Sequence, residues 1–226
     1  MVSQPLSTKK QIFQKAMLSY WEESGRLNLP WRQTRDPWKM LIAEILLRKT
    51  TSKQAEPVYL QLADLSPQQL AEMDELVLQN ILRPLGIHSV RAKQLRTIAQ
   101  TVVTLGTDSL QSPEFLEQLP GVGQYIKNSV QCVAFGADKP GLDTNMIRVI
   151  QRVFAFEIRR SRAREDKDLW RFAEELVPSG FCREYNWAVL DFAAAVCKPR
   201  NPLCENCPVN SICFFYHTAA EEAADG

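Results

Sequence analysis

One stretch governs what this chain can build: Leu119 to Asn145, LPGVGQYIKNSVQCVAFGADKPGLDTN. It opens on a Pro-Gly-Val-Gly turn, runs into a helical pattern, leaves it at Gly136 and delivers an acid, Asp143, just ahead of a strongly apolar run. Gly121 and Gly123 can take backbone angles closed to other residues, so the amides of Gly121, Val122 and Gly123 can come close to a bound group. A helix that starts there directs unpaired N–H groups and a positive dipole end outward, which suits an anion such as phosphate. A helix–turn–helix corner with glycines for packing would look the same in so short a motif. The residues that follow at fixed distances decide between the two.

The rest of the chain reads as all-α. Apolar residues recur at helical spacing over 9–23 (Ile12, Phe13, Ala16, Met17, Tyr20) and over 38–49, where Glu44 sits among Leu41, Ile42, Ile45 and Leu46. Further helices are predicted over 53–62, 76–85, 90–105, 113–119, 146–154, 167–177 and 185–196. Ser66-Pro67 marks a helix start, and Pro30 and Pro37 punctuate a break. No stretch alternates with period two beyond chance, and there is no internal repeat. With 226 residues the chain makes one domain or two small lobes. The last eight residues, AAEEAADG, are expected to fray.

No apolar run approaches the roughly 20 residues of a membrane span, and MVSQPLSTKKQIFQKAML lacks the core of a signal peptide. A reducing, intracellular setting is expected, so the six cysteines do not form a disulfide framework. Cys197, Cys204, Cys207 and Cys213, spaced C-x6-C-x2-C-x5-C, instead predict a metal centre. Structural zinc and a [4Fe–4S] cluster both use four thiolates, and the spacing leaves both open. Cys132 and Cys182 read as core thiols. His88 and His217 are too isolated to form a site. Net charge is only +1, so a polyanion must be met by a local basic face. Lys198 and Arg200, on a proline-flanked loop pinned by the metal, would supply a second backbone contact.

Together the LPGVG turn, the following Asp143 and the cysteine spacing resemble the helix-hairpin-helix DNA glycosylases of the endonuclease III superfamily, over roughly residues 29–214. The resemblance implies two helical lobes with DNA in the cleft between them. One is a six-helix barrel over 27–135 that includes the hairpin; the other combines 1–26 with 136–226 and carries the cluster. It resolves the metal in favour of [4Fe–4S]. It further implies a monomer acting on double-stranded DNA with a mismatched or damaged base, cytoplasmic and nucleoid-associated, with no membrane partner.

Endonuclease III-like members carry a lysine at the position of Tyr125, the amine that forms a Schiff base with the sugar and cleaves the strand. Lys127 lies two residues on, about 200° around a helix, and is predicted to face away. A monofunctional glycosylase without strong AP-lyase activity is therefore implied. Two subfamilies are similar further, through Pro30-Trp31-Arg32, Glu44 and Asp143-Thr144-Asn145: MutY-type adenine glycosylases and mismatch-specific thymine/uracil glycosylases. Thr34 to Thr51 tilts toward thymine/uracil, with Arg48 and Lys49 where adenine enzymes tend to carry glutamines. So does the chain's end 13 residues after Cys213, where adenine enzymes usually continue into a domain that reads oxidised guanine. The activity implied is removal of thymine or uracil opposite guanine. Adenine opposite guanine or oxidised guanine is the alternative, and a non-catalytic duplex-binding protein a further one.

The resemblance also implies the following roles for single residues. Asp143 lies beneath the sugar and stabilises its oxocarbenium-like state, while also capping a helix whose amides keep it ionised. Glu44 donates a proton or holds the water. Tyr125 stacks on the everted base or bonds the sugar, and Trp31 and Arg32 line the base pocket. Arg48, Lys49 and Trp187 are candidates to fill the gap left in the duplex. Gly121, Val122 and Gly123 hold a phosphate through their amides, by way of a bound monovalent cation.

Overall fold

Helix starts in this chain follow capping chemistry, and they fix the fold's corners. The computed structural model describes residues 5–218 and is helical, with no strand among them; the tail expected to fray lies outside the described residues. Helix α1 spans Leu6–Ser24. Helix α2, Pro37–Leu47, begins where the Asp36 carboxylate accepts from the Trp38 and Lys39 amides at 2.8 and 3.2 Å, with proline in the first turn. Thr51 with Gln54, and Ser66 with Gln69, form reciprocal capping boxes at the starts of α3 (Ser52–Leu62) and α4 (Pro67–Glu72). Helix α5, Glu75–Leu82, ends three residues before the predicted stop, because Pro84 allows only a 3₁₀ turn over Arg83–Leu85.

Helices α6 (His88–Leu105), α7 (Pro113–Gln118) and α8 (Gln124–Phe135) complete the first half of the chain. After them come α9 (Thr144–Phe154), α10 (Lys167–Glu175) and α11 (Cys182–Ala195).

Two compact units emerge: residues 27–137, and residues 1–26 together with 138–226. In the first, α6 packs on α4 and α5, and α2 packs on α3 and α8. Its core includes Leu41, Ile42, Ile45, Leu46, Leu62, Leu70, Leu78 and Leu95, all fully buried. Each such side chain contributes about 1.5–3 kcal/mol relative to exposure. In the second unit α11 lies against α1 and α9. Phe13 packs edge-on against Phe154 and Tyr185, with centroids 5.4 and 6.2 Å apart. The buried Asp191 carboxylate is met by Arg26, at 2.6 Å through the guanidinium and 2.9 Å through the backbone amide, which ties the end of α1 to α11.

Candidate functional site

The hairpin of the first unit is built by Gly121, Arg48 and Gln94. Gly121 has φ 70°, in the left-handed region that favours glycine. A Cβ there would stand 2.6 Å from Gln94 Nε2 and 2.9 Å from Arg48 Nη1. Both side chains fasten the turn: Gln94 donates to Pro120 O at 2.8 Å, and Arg48 to Gly121 O at 3.4 Å. Gly123 corrects the sequence reading. At φ −89°, ψ 179° it uses extended backbone open to any residue, and a Cβ would meet nothing within 4 Å among the described residues. Gly123 is the N-cap of α8 and offers no side chain to its first amides, so they face outward from an exposed turn. Val122 is buried, so only its backbone is available.

On α8, Tyr125 and Ser129 are four residues apart and share a face. Ser129 Oγ donates to the Glu44 carboxylate on α2, which is 7% exposed. Lys127 lies off that face and pairs with Glu117. Trp31 and Arg32 sit on a short 3₁₀ turn, both buried, Trp31 edge-on to Tyr59 at 5.6 Å. Sequence reasoning missed Arg91. Only 2% exposed, it donates to Ile45 O, Leu46 O and Arg48 O at the end of α2 and to Gly86 O at 3.3 Å. Its guanidinium therefore caps the helix that carries Glu44. The next residue along from Gly86, Ile87, is a β-branched side chain 58% exposed at φ 44°, a strained combination. Lys49 is also exposed and left-handed, at φ 56°.

In the second unit Asp143 is the N-cap of α9. One carboxylate oxygen accepts from the Asn145 and Met146 amides at 2.9 and 2.8 Å; the other accepts from Asn145 Nδ2 at 2.7 Å. The approach to it is fixed by Asn186 of α11, which accepts from Gly141 N and donates to Lys139 O, both at 2.8 Å. Burial raises the Asp143 carboxyl above its ordinary value and outweighs these hydrogen bonds and the Arg164 charge, which lower it. The helix amides favour the charged form, as expected, while burial sets the net direction. From Asn145 a line of hydrogen bonds continues: Arg148 donates to Asn145 Oδ1 at 3.1 Å and to Cys197 O at 3.0 Å.

Cys197, Cys204, Cys207 and Cys213 line one apolar hollow with Val153, Phe192 and Phe215. Burial pushes the Cys207 thiol up to about 11, and raises Cys204 and Cys213 as well; negative charge on neighbouring thiolates adds to this. Such thiols ionise when a metal takes them. Arg152 pins the loop that follows, donating to Lys198 O at 2.7 Å and Pro199 O at 3.0 Å, with Cys197 Sγ 3.6 Å away. Arg200 is exposed and Lys198 partly so. Trp187 is a correction: 7% exposed, it packs on Trp21 at 5.7 Å, so it has no side chain to insert into a duplex. Cys132 and Cys182 are buried, as expected of core thiols. No helix among the described residues is long and apolar enough to cross a membrane.

Comparison with known proteins bears on both halves of this geometry. Residues 42–175 match the family described as HhH-GPD superfamily base excision DNA repair protein. Residues 197–213 match the iron-sulfur binding domain of endonuclease III. A thymine/uracil-DNA glycosylase of Pyrobaculum aerophilum is 40% identical over 210 residues, covering 90% of this chain and 91% of that one. The solved structure of a thermostable thymine-DNA glycosylase superposes with a TM-score of 0.87 at 33% identity, covering 94% of this chain and 98% of that one. The adenine DNA glycosylase of Homo sapiens is 31% identical over 218 residues, 89% of this chain but 39% of its own length.

Proposed function

The chain belongs to the HhH-GPD superfamily of base excision DNA repair proteins, and from that premise we propose that it is a monofunctional DNA glycosylase removing thymine or uracil mispaired with guanine. Similarity over nine-tenths of both chains to a thymine/uracil-DNA glycosylase favours the pyrimidine over adenine. The observation that carries the chemistry is the half-buried Asp143 carboxylate, held rigid by two backbone amides and Asn145. As the N-glycosidic bond breaks, positive charge grows on the sugar. A fixed carboxylate beneath the ring stabilises that charge, more so where water is scarce.

Glu44, oriented by Ser129, protonates the departing base or holds the attacking water. Tyr125 contacts the base or sugar and offers no amine for a Schiff base. Lys127 is engaged by Glu117 on another face, which supports hydrolysis without strand cleavage. Trp31 and Arg32 shape the base pocket. Gly121, Val122 and Gly123 hold a phosphate through backbone amides, and Lys198 and Arg200 a second one. Arg48, Lys49 and the exposed, strained Ile87 are the side chains available to fill the gap left by eversion.

The four cysteines hold the iron–sulfur centre as a [4Fe–4S] cluster. They share one apolar hollow, and four thiolates are the ligand set that such a cluster uses. When bound, the cluster supplies a structural staple for a loop with no core of its own. The protein acts as a monomer on double-stranded DNA at the nucleoid.

The test is incubation with duplexes holding T·G, U·G, A·G and A·oxidised-G, followed by hot alkali. Alkali-dependent cleavage of the first two alone is expected; breaks without alkali would contradict the Tyr125 assignment. Asp143→Asn should abolish turnover and keep duplex affinity, and undiminished turnover would remove Asp143 from its role.

A further inference from the structure

Arg159-Arg160-Ser161-Arg162-Ala163-Arg164 puts four arginines into six positions with no acid among them, in a chain whose net charge is +1. All four are exposed. Like charges so close repel one another. Here both ends of the run are fastened to the start of α10. The buried Asp166 carboxylate accepts from Arg159 N at 3.0 Å while capping α10 through the Asp168 and Leu169 amides. Trp170 Nε1 donates to Arg164 O at 2.9 Å.

These bonds grip backbone and leave the guanidiniums outside. Arg162 pairs with Glu165 at 3.3 Å, an exposed contact worth little. Among the described residues, Arg159, Arg160 and Arg164 make no ion pair. The run belongs to the same compact unit as Asp143, whose carboxyl the Arg164 charge lowers slightly.

Resting on the glycosylase reading, we propose that the Arg159–Arg164 loop is a further grip on the phosphate backbone of duplex DNA, in the unit that carries Asp143. Planar guanidiniums match phosphate oxygens two at a time, and a loop held at both ends spares the backbone part of the ordering cost at the moment of binding. The contact is blind to sequence; it positions the strand and adds affinity.

The experiment is fluorescence anisotropy of the iron–sulfur-loaded protein on an undamaged labelled duplex from 50 to 200 mM KCl, parent against Arg159→Gln/Arg160→Gln/Arg162→Gln. Each neutralised phosphate contributes about 0.9 to the slope of log affinity against log salt, so the triple variant should flatten it by about 2.7. Over that fourfold salt range the parent then loses about 40-fold more affinity than the variant. Far-UV circular dichroism and the visible cluster band check folding; should the triple variant misfold, Arg160→Gln alone should flatten the slope by about 0.9. An unchanged slope overturns the proposal. So does lost binding to double-stranded RNA or to an acidic polypeptide with the duplex slope intact, which would assign the loop to another partner. Excision by the parent is scored separately. A parent that excises but whose slope ignores the arginines refutes the grip alone; a flattened slope in a chain that excises nothing refutes the substrate reading alone.

Discussion

Gly121 and Gly123 look equivalent in the LPGVG motif, and the structure predicts that they are not. Placing alanine at 121 forces a side chain into φ 70°, a left-handed conformation that costs about 1–2 kcal/mol. The new Cβ would also lie 2.6 Å from Gln94 Nε2. That amide sits at the end of a flexible side chain and can retreat, giving up its 2.8 Å bond to Pro120 O, worth about 1 kcal/mol. The sum for Gly121→Ala is about 2–3 kcal/mol. Gly123→Ala meets no atom within 4 Å and keeps an allowed backbone, so its cost should stay below about 1 kcal/mol. Urea unfolding followed by circular dichroism measures both, with unchanged m-values as the condition for comparing midpoints. Equal stability of the two variants would refute the reasoning, since conformation and crowding are all that separate them.

Two further outcomes follow from buried polar groups. The Asp143 carboxyl is raised by burial, so single-turnover excision should fall as pH drops through that raised value and level off above it. Its effect on stability has the opposite sign: the fold prefers the protonated acid, so the contribution is present below the unfolded pKa and is lost as pH rises through the folded one. The stability of Asp143→Asn relative to the parent should therefore improve from pH 4 to pH 7, and the reverse trend in urea midpoints would refute the shift. The Tyr185 hydroxyl is wholly buried beside Phe13, with no hydrogen-bond partner among the described residues. Tyr185→Phe should be neutral or stabilising by up to about 1 kcal/mol, and a loss of 2 kcal/mol or more, by the same unfolding assay and on the scale set for lost hydrogen bonds, would reveal a partner.

What the sequence disclosed was what lies close along the chain. Asp143 capping α9, Tyr125 in the first turn of α8 and the four cysteines are set by spacings of a few residues, which capping rules and ligand counts can read. Arg91, Ser129 and Asn186 escaped because their partners lie 46, 85 and 45 positions away, in geometry that only packing creates. Ser129 alone left a signal, four residues beyond Tyr125 on one helix face. Gly123 misled because a glycine's identity does not disclose its backbone angles. Trp187 misled because a large aromatic at helical spacing serves a core as well as a binding face. The arginine run stands in plain view, yet only the staple at Asp166 distinguishes it from an ordinary solvated surface.

Arg91 carries a consequence of its own. One inaccessible cation holds the closing carbonyls of α2 and, on its other side, the carbonyl preceding Ile87. The wall bearing Glu44 and the tip bearing Ile87 are thereby clamped to a common pivot. Neither can be retuned alone: a substitution that reshapes the chemistry at one will be felt as altered reach at the other, and a lesion at position 91 would injure both while touching no nucleotide.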